Sequence, residues 1–131
     1  MSASLDTLRA AHRVIEADLA ACEALNEPAP LVAKLKAMRP MMLEHLDAKD
    51  AFYAELRAAC AGRGDLSSGN TAKIFEDNMR MQAAAIRRFF ESLDHGMSPV
   101  FSQTFRTMAL VIKSRIVTEE RAVFPLYLKN R

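Results

Sequence analysis

Two opposite charges, Arg115 and Glu119, continue an apolar series near the C-terminal end of the sequence. The apolar members of this series are Phe101, Phe105, Met108, Ile112, Ala122 and Leu126. Steps of three and four residues return to the same side of an α-helix, so the spacing predicts that both charges face a core. Burying a charge costs free energy unless it is paired or bound to another group. The pair therefore marks a candidate site.

Three further apolar series with the same spacing are each interrupted by polar residues. These are His12 in the first series, His45 and Lys49 in the second, and Gln82 in the third. One polar residue on a helix seam is common, because it fixes the register of packing, but four segments that each contribute one indicate a shared site or its remnant. Glu16 borders this layer, one turn after His12. The predicted polar core layer comprises His12, Glu16, His45, Lys49, Gln82, Arg115 and Glu119.

The elements that would hold this layer are four long helices. Their predicted ranges are 4–26, 31–61, 70–95 and 98–128. The composition is dominated by strong helix formers, and no window shows the period-two alternation of a β-sheet. The segments EPAP and GRGDLSSGN are predicted to be connections. Four long helices with short connections predict an all-α fold, an antiparallel up-down-up-down four-helix bundle formed by residues 1–131 as a single domain.

Three helix ends carry specific signals. Ser4 is predicted to cap the first helix, and Gly96 is predicted to end the third. The dipeptide Ser98-Pro99 predicts the start of the fourth helix, because serine is a preferred cap and proline is favoured at the first helical position.

Two prolines fall inside predicted helices. Pro40 should kink the second helix or mark a second start within it, and Pro125 should bend the last turn of the fourth. A bend at Pro40 would place Arg39 and Met41 off the main apolar face. The segment 39–41 is therefore a candidate contact surface with apolar and basic character.

Composition limits the classes of partner and compartment. The formal net charge is +2 and basic residues are interspersed with acidic ones, which gives no indication of nucleic-acid binding. No apolar run approaches the roughly 18 residues of a membrane span, and the first residues lack the apolar region of a signal peptide. We therefore expect a cytoplasmic protein. Cys22 and Cys60 are predicted at opposite ends of an antiparallel helix pair, too far apart for a disulfide.

Four segments together resemble the hemerythrin-like, or HHE cation-binding, domains. The segments are LRAAHRVIEADL, HLDAKDAFYAEL, FEDNMRMQAAAIRRFF and RIVTEERAVFPLY, one from each predicted helix. The resemblance implies a four-helix bundle that holds two irons at mid-bundle. It also implies that the iron ligands are histidines from all four helices together with bridging carboxylates.

Residue by residue, this sequence departs from the pattern that the resemblance implies. His12 and His45 match ligand histidines, and Glu119 matches a ligand carboxylate. Lys49 stands where the second helix of the family carries Glu, and Arg115 stands where the fourth carries His. Cationic lysine and arginine cannot ligate iron and repel it. The resemblance therefore implies the fold, and it predicts a degenerate metal site without a cofactor.

A hydrogen-bonded charge network is the predicted alternative to the metal. Glu16 and Glu119 would pair with Lys49 and Arg115. The remaining polar groups of the network would be His12, His45 and Gln82, the last near the position of the family's third-helix histidine. An alternative remains open. Helix rotation could direct the charged groups of Lys49 and Arg115 into a solvent-filled groove, while the aliphatic parts of both side chains stay packed.

Three functions follow from these patterns. The first is a non-enzymatic regulatory or protein-interaction module that has lost its di-iron site. The second is a residual metal-binding or oxygen- and redox-responsive protein that uses His12, His45 and Glu119. The third is an anti-sigma-type transcription regulator, because TAKIFEDNMRMQAAAIRRFF and SRIVTEERAVFPLYL are similar to the last two helices of the regulator-of-sigma-D family. A partner protein is expected in the first and third cases.

Overall fold

The computed structural model describes residues 5–95 and 98–131, and the regular structure of these residues is entirely helical. The helices are α1 (Leu5–Glu23), α2 (Pro28–Arg63), α3 (Leu66–Ser92), α4 (Phe101–Thr118) and α5 (Phe124–Asn130). A 3-10 turn, Leu93–His95, extends α3, and a π-helical turn, Glu119–Val123, joins α4 to α5. The α4 helix, the π-turn and α5 together form the fourth helix of a bundle. The predicted all-α four-helix bundle is confirmed, whereas the predicted caps Ser4 and Gly96 lie outside the described residues.

The ion pairs between α1 and the fourth helix fix the relative direction of these two elements. The Lys113 ammonium lies 2.6 Å from the Glu23 carboxylate, and His12 Nδ1 lies 2.7 Å from Glu120 Oε2. The later residue of α1 therefore pairs with the earlier residue of the fourth helix, which makes them antiparallel. The α1 and α3 helices each pack against both α2 and α4.

The connection between α2 and α3 has two residues, so the predicted nine-residue loop is wrong. Gly64 ends α2 with φ 68°, in the left-handed region that glycine adopts without strain. Asp65 then caps α3, because its carboxylate accepts hydrogen bonds from the backbone N–H of Ser68 at 3.0 Å and from the Ser68 hydroxyl at 2.6 Å. The two opposed caps allow the chain to reverse within one short turn.

Proline does not interrupt α2, which begins earlier than predicted. Pro28 occupies the first turn, where its missing N–H would have no partner in any helix. Pro40 lies inside one continuous helix, so the second start predicted there is wrong. Met38 and Met42 on either side of Pro40 are buried in the core, and this packing offsets the hydrogen bond that the proline removes.

The predicted start of the fourth helix is close to the observed one. The Ser98 hydroxyl accepts a hydrogen bond from the backbone N–H of Val100 at 3.2 Å, and α4 begins at Phe101. The apolar series of all four helices meet in one continuous core. No helix in residues 5–95 and 98–131 combines the length and the apolarity that a membrane crossing requires.

Candidate functional site

Five of the seven residues of the predicted polar layer are buried at the centre of the bundle. They are His12 on α1, His45 and Lys49 on α2, Arg115 on α4, and Glu119 in the π-turn. Lys49 is 4% exposed and Arg115 is 5% exposed, so neither side chain ends in a solvent-filled groove. Three helices of the bundle therefore bring charged or titratable groups into one water-poor region.

The Glu119 carboxylate is the centre of this layer. Lys49 Nζ lies 3.3 Å from Oε1 and 3.2 Å from Oε2 of Glu119. Arg115 Nε donates to Oε2 at 3.3 Å, and the Tyr53 hydroxyl donates to the same oxygen at 3.1 Å. His12 Nε2 lies 3.3 Å from Oε1, without the alignment of a hydrogen bond. Two cations and a phenol thus converge on one carboxylate.

Tyr53 belongs to the site, although the sequence reasoning did not select it. Arg115 Nη2 donates to the Tyr53 oxygen at 2.5 Å, and the phenol proton then points to Glu119. Burial, reinforced by the charge of Glu119, raises the pKa of Tyr53, so the phenol keeps this proton. The signal was present in the sequence, because Tyr53 follows Lys49 by four residues, one helical turn further on the same side.

His12 lies between two carboxylates. Its Nδ1 is 2.7 Å from Glu120 Oε2, and Glu120 also forms an ion pair with Arg13. Because a carboxylate accepts and does not donate, Nδ1 carries a proton and donates it. In a neutral ring Nε2 then presents a lone pair toward Glu119. This lone pair and the Glu119 oxygen are two acceptors 3.3 Å apart, and one divalent cation could bind both.

The π-turn explains how two consecutive glutamates both reach His12. The backbone N–H of Phe124 donates to the carbonyl of Glu119, five residues back, which widens the helix locally. Pro125 follows directly, and in a regular α-helix its ring would collide with the carbonyl of Arg121. The widened turn relieves this collision and changes the directions in which Glu119 and Glu120 project.

The same turn shifts the apolar face of the fourth helix by one residue. Val123 and Phe124 are fully buried, whereas Ala122 and Leu126, which the regular spacing placed on the core face, are only half-buried. Pro125 thus lies next to a widened turn rather than simply bending the last turn. Glu120 could not be selected from the sequence, because a regular α-helix would direct it about 100° away from Glu119.

Glu16 does not join the layer, which corrects the predicted network. Its side chain is 43% exposed and its carboxylate lies 2.9 Å from Arg13 Nε at the surface. Ile15 and Leu19 occupy the inward positions of α1 on either side of it. Glu120 supplies the second carboxylate of the site instead.

Gln82 is half-buried and forms no hydrogen bond with the charged groups around Glu119 in the described structure. Its Oε1 has no hydrogen-bond partner within the described residues. Ala83 and Ile86 point inward from α3, so rotation of this helix turns Gln82 aside. Of the α3 residues, Phe75 reaches the site only through its backbone carbonyl, 3.5 Å from Arg115 Nη2.

The charges of the layer follow from burial and from their neighbours. Burial alone raises the pKa of Glu119, but Lys49, His12 and Arg115 outweigh it and lower this pKa to about 2. Burial lowers the pKa of Lys49, an effect that Glu119 opposes and Arg115 reinforces. Burial, followed by the Lys49 charge, lowers the pKa of His45 to about 3. At neutral pH Glu119 is therefore ionised and His45 is uncharged.

Three buried side chains could together hold one metal ion. His12, His45 and Glu119 each offer one ligand atom, and these atoms lie within 4.8 Å of one another. Nε2 of both histidines is buried and lacks a hydrogen-bond partner in the described structure. Two imidazoles and one carboxylate are a common ligand set for a single divalent ion. Such an ion would compete with Lys49 and Arg115 for the Glu119 oxygens.

The fold and the site together define an antiparallel four-helix bundle with a histidine, carboxylate and cation cluster at its centre. The chain belongs to the hemerythrin HHE cation-binding domain family, whose model matches residues 3–127. The resemblance proposed from the four helical segments is thereby confirmed. Neither the curated proteins nor the solved structures include a significant match to this chain.

Proposed function

We propose that this chain is a non-enzymatic regulatory or protein-interaction member of its family, in which Lys49 and Arg115 replace the charge of a di-iron centre. The observation that carries the proposal is the position of Lys49 Nζ, 3.3 and 3.2 Å from the two oxygens of Glu119. A metal site needs positive charge beside its carboxylate, and here a lysine and an arginine supply that charge.

The donor set does not fit two irons. Among the described residues, the candidate ligand atoms that lie within 4.8 Å of one another belong to only two imidazoles and one carboxylate, those of His12, His45 and Glu119. Lys49 and Arg115 occupy positions beside that carboxylate and would repel a metal ion. We therefore derive no oxygen chemistry for the site. The bundle would instead serve as a scaffold in the cytoplasm, with another protein as its partner, no nucleic acid or membrane, and no cofactor.

The segment 39–41 does not support the predicted contact surface. Arg39 Nη1 donates to the carbonyl of Phe90 at 3.2 Å and lies 3.0 Å from Asp94 Oδ2, so it is held against α3. Met41 is half-buried against the core. More apolar surface is exposed on α3, where Ile74 is 63% and Met81 is 70% exposed.

Metal analysis tests the proposal directly. Protein produced in iron-supplemented cells and purified without chelator should be colourless and should lack stoichiometric iron. The matched control is the double variant Lys49→Glu with Arg115→His, which places a carboxylate and an imidazole where the family resemblance implies ligands. This variant should bind more iron than the parent. Two irons per chain in the parent, with an oxo-bridge absorption band, would overturn the proposal.

Capture of the partner tests the regulatory part. Tagged protein should retain a specific protein from the native cell, and the double variant Ile74→Ser with Met81→Ser shows whether the exposed α3 residues contribute. Retention of an RNA polymerase sigma subunit would instead identify the anti-sigma-type function. A tagged protein that retains nothing above the level of an unrelated helical bundle would contradict a partner-binding role.

A second candidate function is the binding of a single divalent ion at His12, His45 and Glu119. Two observations favour this function. Nε2 of each histidine lacks a hydrogen-bond partner in the described structure, and the three candidate ligand atoms lie within 4.8 Å of one another. Added zinc or ferrous iron should then raise the melting temperature, and His12→Ala or His45→Ala should abolish the rise. The variant His95→Ala changes an exposed histidine and should leave it intact. No metal-dependent rise in the parent would exclude this function.

A further inference from the structure

The outward side of α3 presents large apolar side chains to solvent. Ile74 and Met81 are both mostly exposed, and their separation of seven residues places them on the same side of the helix, two turns apart. Ala84 and Ala85 follow in the next turn and are half-buried. Small side chains beside large ones allow another helix to approach closely. This side of α3, residues 73–91, is named the α3 outer face.

The adjoining side of α4 has no charged residue among those described. The residues along it are Gln103, Thr107, Leu110, Val111, Ser114 and Val117. Arg106 and Lys113, the nearby cations of α4, lie beside α1 instead. Charged residues make up 26% of the chain, so their absence from a solvent-facing side is unusual, and such depletion is typical of the centre of a protein interface.

Four exposed charged residues border the α3 outer face, and their signs alternate along the chain. They are Lys73, Asp77, Arg88 and Glu91. An antiparallel second copy of α3 presents the same signs in reverse order, so Lys73 lies opposite Glu91 and Asp77 lies opposite Arg88. A parallel copy would place like charges opposite each other, which is unfavourable. The charges are therefore complementary to those of an antiparallel copy of the same helix.

Both charge pairs form in one register of the two helices. The midpoint of positions 73 and 91 lies within half a residue of the midpoint of positions 77 and 88. In that register Met81 lies opposite Ala84 of the second copy, so a large side chain faces a small one. The charged and the apolar residues of the α3 outer face thus favour the same arrangement.

The size of this contact is at the lower limit for a specific interface. Residues 73–91 of an α-helix span about 27 Å. Together with the adjoining side of α4 the contact is about 20 Å wide, twice the diameter of a helix, and covers roughly 500 Å² on each copy. Two copies together bury roughly 1,000 Å², so the complex should have a dissociation constant on the order of 10 µM.

We propose that a second copy of this chain packs on the α3 outer face with its α3 antiparallel, and that the adjoining side of α4 extends the contact. The two copies form a symmetric dimer, because each α3 offers the same surface to the other. This dimer does not depend on the charged groups around Glu119. It can therefore fail without affecting the metal-free function proposed above, and the metal analysis can fail without affecting the dimer.

Sedimentation velocity tests the dimer in the unmodified protein. At about 200 µM most of the protein should sediment with twice the mass of the chain, and at about 1 µM most of it should be monomeric. Unfolding measured at about 1 µM then reports on the monomer. A protein that is monomeric at about 200 µM would overturn the proposal.

Charge reversal tests the antiparallel register. Glu91→Lys places a second cation opposite Lys73 at two symmetric positions, so it should raise the dissociation constant roughly tenfold. The double variant Lys73→Glu with Glu91→Lys exchanges the two signs and should restore the dimer. Glu44→Lys, at an exposed position of α2, makes the same change in net charge and should have no effect. An exchange that restores nothing would contradict this register.

Met81→Glu tests the apolar part of the face. The side chain is mostly exposed in the monomer, so the helical circular dichroism of the variant should match that of the parent. In the dimer two glutamates would lie near the symmetry axis, and the variant should be monomeric at about 200 µM. A dimer that neither Met81→Glu nor Glu91→Lys weakens would use another surface and would overturn the proposal.

Discussion

Lys49 Nζ lies 3.3 Å from one carboxylate oxygen of Glu119 and 3.2 Å from the other. This contact joins α2 to the π-turn of the fourth helix, and both side chains are buried. Arg115 adds a second cation on the same carboxylate. Since desolvation offsets much of the Coulomb attraction, the network contributes to the choice of helix partners more than to the free energy of folding.

Glu119 is the residue whose loss should destabilise the bundle most within this network. Glu119→Gln removes the one anion and leaves Lys49 and Arg115 buried together, so we expect a loss of about 3–5 kcal/mol in the free energy of unfolding. Urea denaturation monitored by circular dichroism measures it. Glu91→Gln, at an exposed position of α3, is the control. A loss below about 1 kcal/mol for Glu119→Gln would show that water reaches the cations.

Removing one cation should cost less than removing the anion. In Lys49→Met the carboxylate of Glu119 keeps Arg115 and the Tyr53 hydroxyl, so no buried charge is left without a partner. Urea denaturation should therefore give Lys49→Met a smaller loss than Glu119→Gln. The reverse order would show that Arg115 and Tyr53 alone do not stabilise the Glu119 carboxylate.

The pH dependence of stability should report on His45. Its pKa is about 3 in the folded protein, whereas an unfolded histidine has a pKa of about 6.5. As the pH falls below 6.5 the unfolded chain binds the proton first, so stability present above this pH is lost progressively toward pH 3. Between pH 8 and pH 5 the loss from this residue should be about 2 kcal/mol.

A comparison of variants isolates this effect. Chelator-treated wild type and His45→Gln should be unfolded with urea at pH 8, 6.5 and 5, and the variant should show the weaker pH dependence. His95→Gln, at an exposed position, should match the wild type. Glu119, with a pKa of about 2, should add its own loss of stability only below about pH 4.5. Identical pH profiles for wild type and His45→Gln would contradict the burial of a neutral imidazole.

Alanine at two glycines should have opposite effects on stability. Gly64 has φ 68°, so Gly64→Ala should destabilise the protein by about 1–2 kcal/mol. Gly69 lies inside α3, and Gly69→Ala should stabilise it by about 0.5–1 kcal/mol. An added Cβ would meet no atom within 4 Å at either position, so only backbone conformation differs. Urea denaturation of both variants tests this, and a neutral Gly64→Ala would show that the turn is not tightly held.

Both thiols should be unreactive until the protein unfolds. Cys22 and Cys60 are free and buried, and burial raises the pKa of Cys22 to about 11 and also raises that of Cys60. Because the thiolate is the nucleophile, Cys22 should react with an aromatic disulfide reagent roughly two orders of magnitude more slowly in native than in denatured protein, and Cys60 should also react more slowly. The measurement is the absorbance of the released thiolate, with guanidinium-denatured protein as the control. Fast labelling of one thiol in native protein would reveal local opening at that helix.

The sequence alone predicted the helical class, the bundle and most of the buried charge. Steps of three and four residues are a local property of the chain, so they placed His12, His45 and Lys49 on core-facing stripes without knowledge of any partner. The same spacing selected Arg115 and Glu119, because the π-turn begins only at Glu119. The length of the turn at Gly64 and Asp65 was missed, since the segment 67–70, Ser-Ser-Gly-Asn, is equally typical of a loop.

Only the tertiary structure decided which groups complete the site. Glu16 and Gln82 have nearly the spacing of core-facing residues. The rotation of α1 against its neighbours nevertheless places Glu16 at the surface, and the rotation of α3 leaves Gln82 half-buried. Glu120 enters the site because Pro125 is accommodated by a π-turn, which changes side-chain directions that a regular helix would fix. Helix rotation and local widening depend on packing between elements, and the spacing of residues within one helix does not encode them.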